Sequence, residues 1–261
     1  RHRRRIVGAT LVAKPHDTTM RTIIITGVSK GLGQALSRTL ANDATNLVGF
    51  GRTQGDFDGT FHTCDFTKPQ LAASIFQEAL EDEALEDSES VVFIANAGRL
   101  GLLQPAQNLD SYEIEETIAA NLTHSAIAAS AFLKRVQHLP IPKAFLQISS
   151  GAAQPDRPKA SWSLYCATKA GQEQLVRAIA KEQESAAQPT VFANINPGVM
   201  ETAMQEQIRQ TSPKAFPDVE RFIKLKEEGR IPSPNTIAEK IAKLIETPTS
   251  LENGKTYNLS L

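Results

Sequence analysis

Thr26-Gly27-Val28-Ser29-Lys30-Gly31-Leu32-Gly33 is the stretch that decides the fold. The β-branched run Ile23-Ile24-Ile25 stands before it and reads as a short buried strand over 21–26. A helix from about Leu32 to Ala41 follows it. Glycines between a strand and a helix permit a tight turn and let the backbone approach a phosphate, whose charge then meets the helix N-terminus. The spacing is not that of the G-x-G-x-x-G fingerprint. A glycine motif alone also fits a plain strand-to-helix turn, and the flanking strand and helix weigh against that reading.

Outward from this turn, strands alternate with helices. Strands are expected over 46–51, 60–64, 90–95, 143–149, 190–195 and 254–258. Helices are expected over 68–85, with Leu71, Ile75, Phe76, Ala79 and Leu80 as an apolar stripe, and over 111–136, 164–185 and 235–246. Residues 201–230 read as short helices and loops. Such alternation requires parallel crossovers. It predicts a single-domain, Rossmann-type doubly wound α/β fold, with a parallel sheet of about seven strands flanked by helices, over 20–261.

Residues 1–19, opening Arg1-His2-Arg3-Arg4-Arg5, show no strand or helix period and read as a leader outside the domain, an upstream or cloning-derived remnant. An Arg-rich organelle presequence is the alternative, against which stand Pro15, Asp17 and the short length. The whole chain has 261 residues, 41% of them hydrophobic and 22% charged, with a formal net charge of -1. The leader carries five basic side chains and one acid, so the remainder is acidic, which argues against a nucleic-acid partner. No apolar run reaches the roughly 18–20 residues of a membrane span. Cys64 and Cys166 lie far apart, with no CxxC and no His cluster, which argues against a disulfide scaffold or a metal site and fits a reduced, cytoplasmic setting.

Tyr165-Cys166-Ala167-Thr168-Lys169 places a phenol and an ammonium four residues apart on one helical face. A cation there is expected to lower the phenol pKa, which suits proton exchange with a carbonyl or alcohol oxygen. Taken alone, such a pair is also common on solvated faces. Here the chain also carries the glycine turn, Asn96-Ala97-Gly98, Ser149-Ser150 and Pro197-Gly198-Val199-Met200-Glu201-Thr202. Together, in this order, these motifs resemble the short-chain dehydrogenase/reductase family over essentially all of 20–261. A nearer resemblance, to its benzil reductase and sepiapterin reductase subgroup, rests on 148–153, 162–166 and 197–205, with 219–225 similar to benzil reductase.

The resemblance implies an NADP(H)-dependent carbonyl reductase. Gly27, Ser29, Lys30, Gly31, Leu32 and Gly33 would hold the pyrophosphate. Strand two ends in Gly51-Arg52-Thr53 where an acid would favour NAD, so Arg52 and Lys30 are expected to hold a 2′-phosphate. Asp65 would contact adenine or cap a turn. Asn96, Ala97 and Gly98, with Ala95 replacing the family's first Asn, would face the cofactor, as would Pro197, Gly198, Val199 and Thr202. Tyr165 would donate the proton. Lys169 would tune it and bind the nicotinamide ribose. Ser150, with Ser149 as the alternative, would orient the substrate oxygen, and Asn121 would kink its helix and hold a water beside Lys169. Trp162, Met200 and Met204 would line an aromatic substrate pocket, or are ordinary packing.

The gap of 15 residues from Ser150 to Tyr165 is longer than the family's usual one and suggests a reshaped pocket edge. That loop and 201–230 would form a lid. The expected substrate is a small carbonyl compound, a 1,2-dicarbonyl beside an aromatic ring; a 3-ketoacyl or hydroxysteroid reductase, or a non-catalytic NADP-binding sensor, are the alternatives. The resemblance also implies a homo-oligomer, dimer or tetramer.

Overall fold

The first strand, β1 (Met20–Thr26), is buried along almost its whole length because Ile23, Ile24 and Ile25 contact helices on both faces of one sheet. The computed structural model describes residues 20–82 and 85–259, and the expected leader at 1–19 lies outside them. Around β1 stand β2 (Thr45–Gly51), β3 (Thr60–Thr63), β4 (Ser88–Ala95), β5 (Lys143–Ile148), β6 (Val191–Asn196) and β7 (Thr256–Asn258). They form a seven-stranded sheet in the order β3-β2-β1-β4-β5-β6-β7, and every pairing is parallel. The chain therefore has a doubly wound Rossmann-type fold. The order reverses between β1 and β4, and ligands bind at the carboxyl ends of strands beside such a switch.

The helices are α1 (Gly31–Leu40), α2 (Pro69–Asp82), α3 (Ser111–Ile118), α4 (His124–Val136), α5 (Ser163–Gln183), α6 (Ala203–Arg209), α7 (Val219–Glu227) and α8 (Pro234–Leu244). Helices α1 and α8 cover one face of the sheet over Ile23, Ile25, Leu36, Ile195, Ile237 and Ile241. Helices α2, α4 and α5 cover the other. There, aromatic rings run across the strands: Phe50 against Phe76, Phe93 against Phe145 at 5.1 Å, and Phe145 against Phe192 at 5.0 Å.

Two expectations are corrected. Helix α2 turns Ala72, Phe76, Ala79 and Leu80 inward and leaves Leu71 55% exposed, because the 72, 76, 79, 80 spacing keeps one face on the sheet and places residue 71 off it. The long helix expected over 111–136 is interrupted by one π turn, Ala119–Thr123, at Asn121.

Candidate active site

Thr26 closes β1, and its hydroxyl accepts hydrogen bonds from the backbone N–H of Asn96 at 3.0 Å and Ala97 at 2.9 Å. Asn96 Nδ2 donates back to the carbonyls of Thr26 (2.9 Å) and Gly27 (3.2 Å). These bonds tie the ends of the two strands at the switch. Thr26 is not among the expected site residues; its signal is a hydroxyl at a strand end, across from an Asn at the end of another strand.

The glycine turn is built for close approach. Gly27 and Gly31 have φ of 76° and 59°, which disfavours a side chain. A Cβ on Gly33 would run into the carbonyl oxygen of Gly27 and lie 2.7 Å from Asn96 Nδ2, so only glycine lets α1 start against β1. Ser29 and the exposed Lys30 lie in the turn, while the Leu32 side chain is buried, leaving its backbone to face outward. Arg52 is exposed at the end of β2. Among the described residues neither the Lys30 ammonium nor the Arg52 guanidinium is taken up by an ion pair, and no acid stands in the place that would hold a ribose hydroxyl. The donor set thus fits a phosphate-bearing dinucleotide. Asp65 accepts from the backbone N–H and hydroxyl of Thr67 through one oxygen, so it caps the turn into α2, and Arg52 and Lys68 help to hold its carboxyl low against burial. Gly98 faces Asn121 and Lys169: a Cβ there would lie 3.2 Å from Asn121 Oδ1 and 3.9 Å from Lys169 Nζ. On the far side, Gly198 has φ of 75° and donates to Asn196 Oδ1, following Pro197. Thr202 caps α6 through Gln205 N and places its methyl beside Gly31.

Tyr165 and Lys169 lie on α5, both buried at 7% and 4% exposure. Lys169 Nζ is 5.9 Å from the Tyr165 ring centre and donates to the carbonyl of Ile148, the last residue of β5, at 2.8 Å. The expected lowering of the phenol pKa is reversed in the folded chain. Burial pushes Tyr165 up to about 12, and the neighbouring Ser150 hydroxyl works the other way without prevailing. Burial pulls Lys169 down to about 8, opposed by Glu173. The spacing of the motif predicts proximity; how far each charge is desolvated depends on the packing around it.

The two serines separate clearly. Ser150 lies beside the Tyr165 phenol, on whose pKa it acts, and accepts from Ala152 N, capping a short 3₁₀ turn at Gly151–Ala153. Ser149 faces the other way, buried, its hydroxyl donating to Glu173 at 2.6 Å. Asn121 fixes the neighbouring turn. Its Oδ1 accepts from Arg99 N at 2.8 Å, and its Nδ2 donates to Arg99 O and Thr168 Oγ1. The carbonyl freed by the π turn accepts from Gln172 and Ser125. Both amide donors are spent on protein, and the side chain holds the Gly98-Arg99 turn to α5.

Above the catalytic group lies an apolar cluster of Leu100, Leu103, Ile208, Phe216, Val219 and Phe222 around Trp162 and Tyr165. The three residues expected to line the pocket divide. Met204 Sδ is 3.9 Å from the Tyr165 hydroxyl, over the reacting position. Trp162 is buried, its face covered by Phe216 at 5.2 Å and 12° and its edge set against Tyr165, so it backs the pocket. Met200 packs with the α1–α8 side of the core, away from this cluster. Val199 packs against the cluster beside Met204. The long loop before α5 carries Lys159, which pairs with Asp218 at the start of α7 at 3.4 Å and covers the Trp162 and Phe222 rings. Gln207 on α6 donates to Gly101 O from the other side. The loop's extra residues thus fasten 201–230 over the site, a tie that a lone Lys in a polar loop does not announce.

A parallel sheet with a glycine turn at its switch point is the architecture of nucleotide-dependent oxidoreductases. The family described as short chain dehydrogenase matches residues 21–213. The chain is 34% identical over 243 residues to a benzil reductase, (S)-benzoin forming, of Bacillus subtilis, spanning 92% of this chain and 98% of that one. It is 32% identical over 238 residues to the enzyme of the same name from Bacillus cereus, spanning 87% and 95%. A short-chain dehydrogenase/reductase structure from Saccharomyces cerevisiae superposes with a TM-score of 0.76 at 21% identity, over 92% of this chain and 96% of that one. The chain belongs to the short-chain dehydrogenase/reductase family, as an oxidoreductase of CH–OH and C=O groups with benzil and sepiapterin reductases among its relatives. Among the described residues no helix is long and apolar enough to cross a membrane, and no group of metal-ligating side chains is assembled.

Proposed function

We propose that this chain is an NADPH-dependent reductase of 1,2-dicarbonyl compounds that carry an aromatic ring, converting one carbonyl to a hydroxyl of S configuration. The observation that carries the reading is Tyr165, protonated by burial with the Ser150 hydroxyl beside it, beneath an apolar cluster closed by Met204. The likeness to the two bacterial benzil reductases supports both the substrate class and the product hand. NADPH, when bound, supplies the hydride. Lys30 and Arg52 would hold its 2′-phosphate, the glycine turn its pyrophosphate, and Lys169 its ribose. Ser150 and Tyr165 would grip one substrate oxygen, and the phenol would give its proton as charge develops there. An adjacent carbonyl withdraws electrons and makes the attacked carbon a better acceptor. The apolar cluster accepts the flat ring, and Met204 adapts to its outline.

The test is incubation with NADPH and benzil or a phenyl-propanedione, followed by chiral separation of the product. Formation of one hydroxyketone, the S form, is expected. No turnover there, beside brisk reduction of a ketoacyl thioester, would overturn the substrate class.

A further inference from the structure

We propose that Glu173 is a positioning residue of this site: its buried carboxylate fastens Ser149, and with it the turn that carries Ser150, to the helix that carries Tyr165 and Lys169, and it stands as the counter-charge of Lys169. The proposal rests on the reading of the site as a reductase. Its geometry is a two-rung clamp. Lys169 and Glu173 lie one turn apart on α5 and share a face. Lys169 Nζ donates to Ile148 O at 2.8 Å, and Glu173 Oε1 accepts from Ser149 Oγ at 2.6 Å. Two successive turns of the helix therefore grip two successive residues at the end of β5, and the next residue is Ser150. The register between the serine and the phenol is set by this clamp.

Glu173 is more than nine-tenths buried. A carboxylate so placed is costly unless it is paired and serves a charge. Its second oxygen accepts from Arg177 Nη2 at 2.6 Å. That guanidinium is half-exposed beside a cleft of about 310 Å³ also lined by Asn196, Thr256 and Asn258, so solvent screens it. The other groups around Lys169 do not compete. Tyr165 shares its helix and is kept protonated by burial, and His124 on α4 is held neutral by burial. Arg99, in the turn after β4, is drawn to Glu113 and Glu116 on α3. The nearest parts of β5 and of the π turn offer carbonyls and the neutral Asn121, and β6 offers the neutral Asn194. Among the described residues Glu173 is the acid that acts on Lys169, and it opposes the effect of burial.

Glu173→Gln and Ser149→Ala separate the two tasks, with thermal unfolding to verify the fold of each. The Lys169 titration is followed by NMR from its side-chain Cε in the full chain, the signal being identified by its loss in Lys169→Arg; this reading needs neither cofactor nor activity. In Glu173→Gln the midpoint should fall by about one unit, the size a neighbouring charge gives. The alkaline limb of kcat/KM for diketone reduction should fall with it, an activity loss of about fivefold near pH 8 that shrinks toward neutral pH. Ser149→Ala should lower kcat at every pH and leave the midpoint in place. An unmoved midpoint in Glu173→Gln, or a pH-independent loss equal to that of Ser149→Ala, would refute the proposal. A midpoint that moves in a protein that reduces no carbonyl would sustain the counter-charge and overturn the functional reading instead.

Discussion

Burial drives Tyr165 and Lys169 in opposite directions, the phenol up to about 12 and the ammonium down to about 8. At neutral pH the phenol is therefore an intact acid, the form that reduction of a carbonyl consumes. Tyr165→Phe keeps the ring in its place against Trp162 and removes the proton. Turnover should fall by about 10²–10⁴ with NADPH binding retained, read by stopped assays and by quenching of protein fluorescence; near-normal turnover would refute the role. Arg52→Ala removes a charge-assisted contact worth roughly 1.5–3 kcal/mol, so the preference for NADPH over NADH should drop about tenfold or more in kcat/KM. His124 carries the acid side of stability. Its ring lies tilted at 44° against Phe66, 4.6 Å between centres, and no good hydrogen bond reaches either nitrogen, although the carbonyls of Ala120 and Asn121 lie near. Burial holds its pKa down at about 4 against an ordinary 6.5, so the unfolded chain binds the proton first. Stability should be complete above about pH 6.5 and decline as pH falls toward about 4. His124→Leu should flatten that decline, measured as the urea midpoint against pH. The tyrosine and lysine were legible from their spacing; the direction of their pKa shifts was not, because desolvation is set by residues far away in sequence.

At the scale of elements, the site is held by departures from regular geometry. The π turn at Ala119–Thr123 puts Asn121 where its side chain secures Arg99 N, Arg99 O and Thr168 at once. Asn121→Ala loses three hydrogen bonds, one buried and two part-buried, and orphans the backbone groups of Arg99. At about 1 kcal/mol each, that should cost roughly 2–4 kcal/mol in denaturant unfolding and loosen the Gly98 turn. A cost under about 1 kcal/mol would show that Gln172 and Ser125 hold the π turn unaided. The glycine turn, the strand order and the long α5 could be read because each has a local signature: β-branched runs, glycine spacing and an i, i+4 pair. The kink at Asn121 is implied by the family resemblance alone, and its π geometry has no local signature. Ala119-Ala120-Asn121-Leu122-Thr123 has good helix formers on both sides, and the carbonyl that the extra residue frees is satisfied by Ser125 and by Gln172, the latter 51 residues on. Glu173 escaped in the same way: Gln172-Glu173-Gln174 reads as a solvated helix face until the partner serine is seen.

The whole molecule divides into a sheet with two packed faces and a cap over one end, and the two parts should fail differently. Phe93 sits at the centre of the aromatic row, touching Phe76, Phe132 and Phe145. Phe216 is as fully buried, but its neighbours Trp162 and Phe222 belong to the cap cluster. Truncating either to Ala removes comparable apolar contact, about 3–5 kcal/mol where the surroundings cannot collapse. For Phe93 that loss falls on global unfolding. At about 2–4 °C per kcal/mol for a chain of this size, Tm should drop by roughly 6–20 °C. For Phe216 the loss falls on a segment tied down by few polar links, Lys159 to Asp218 and Gln207 to Gly101, so it can be relieved by local opening. Phe216→Ala should therefore lower Tm by only a few degrees while exposing 201–230 to limited proteolysis. It should also raise KM for the diketone more than it lowers NADPH affinity, since the glycine turn and Arg52 lie on the sheet side. Substrate present in excess should restore protection, because a ligand that binds only the closed form draws the cap back by mass action. A Tm drop matching that of Phe93→Ala, with no new cleavage between 201 and 230, would show instead that the cap is part of the core and does not open on its own.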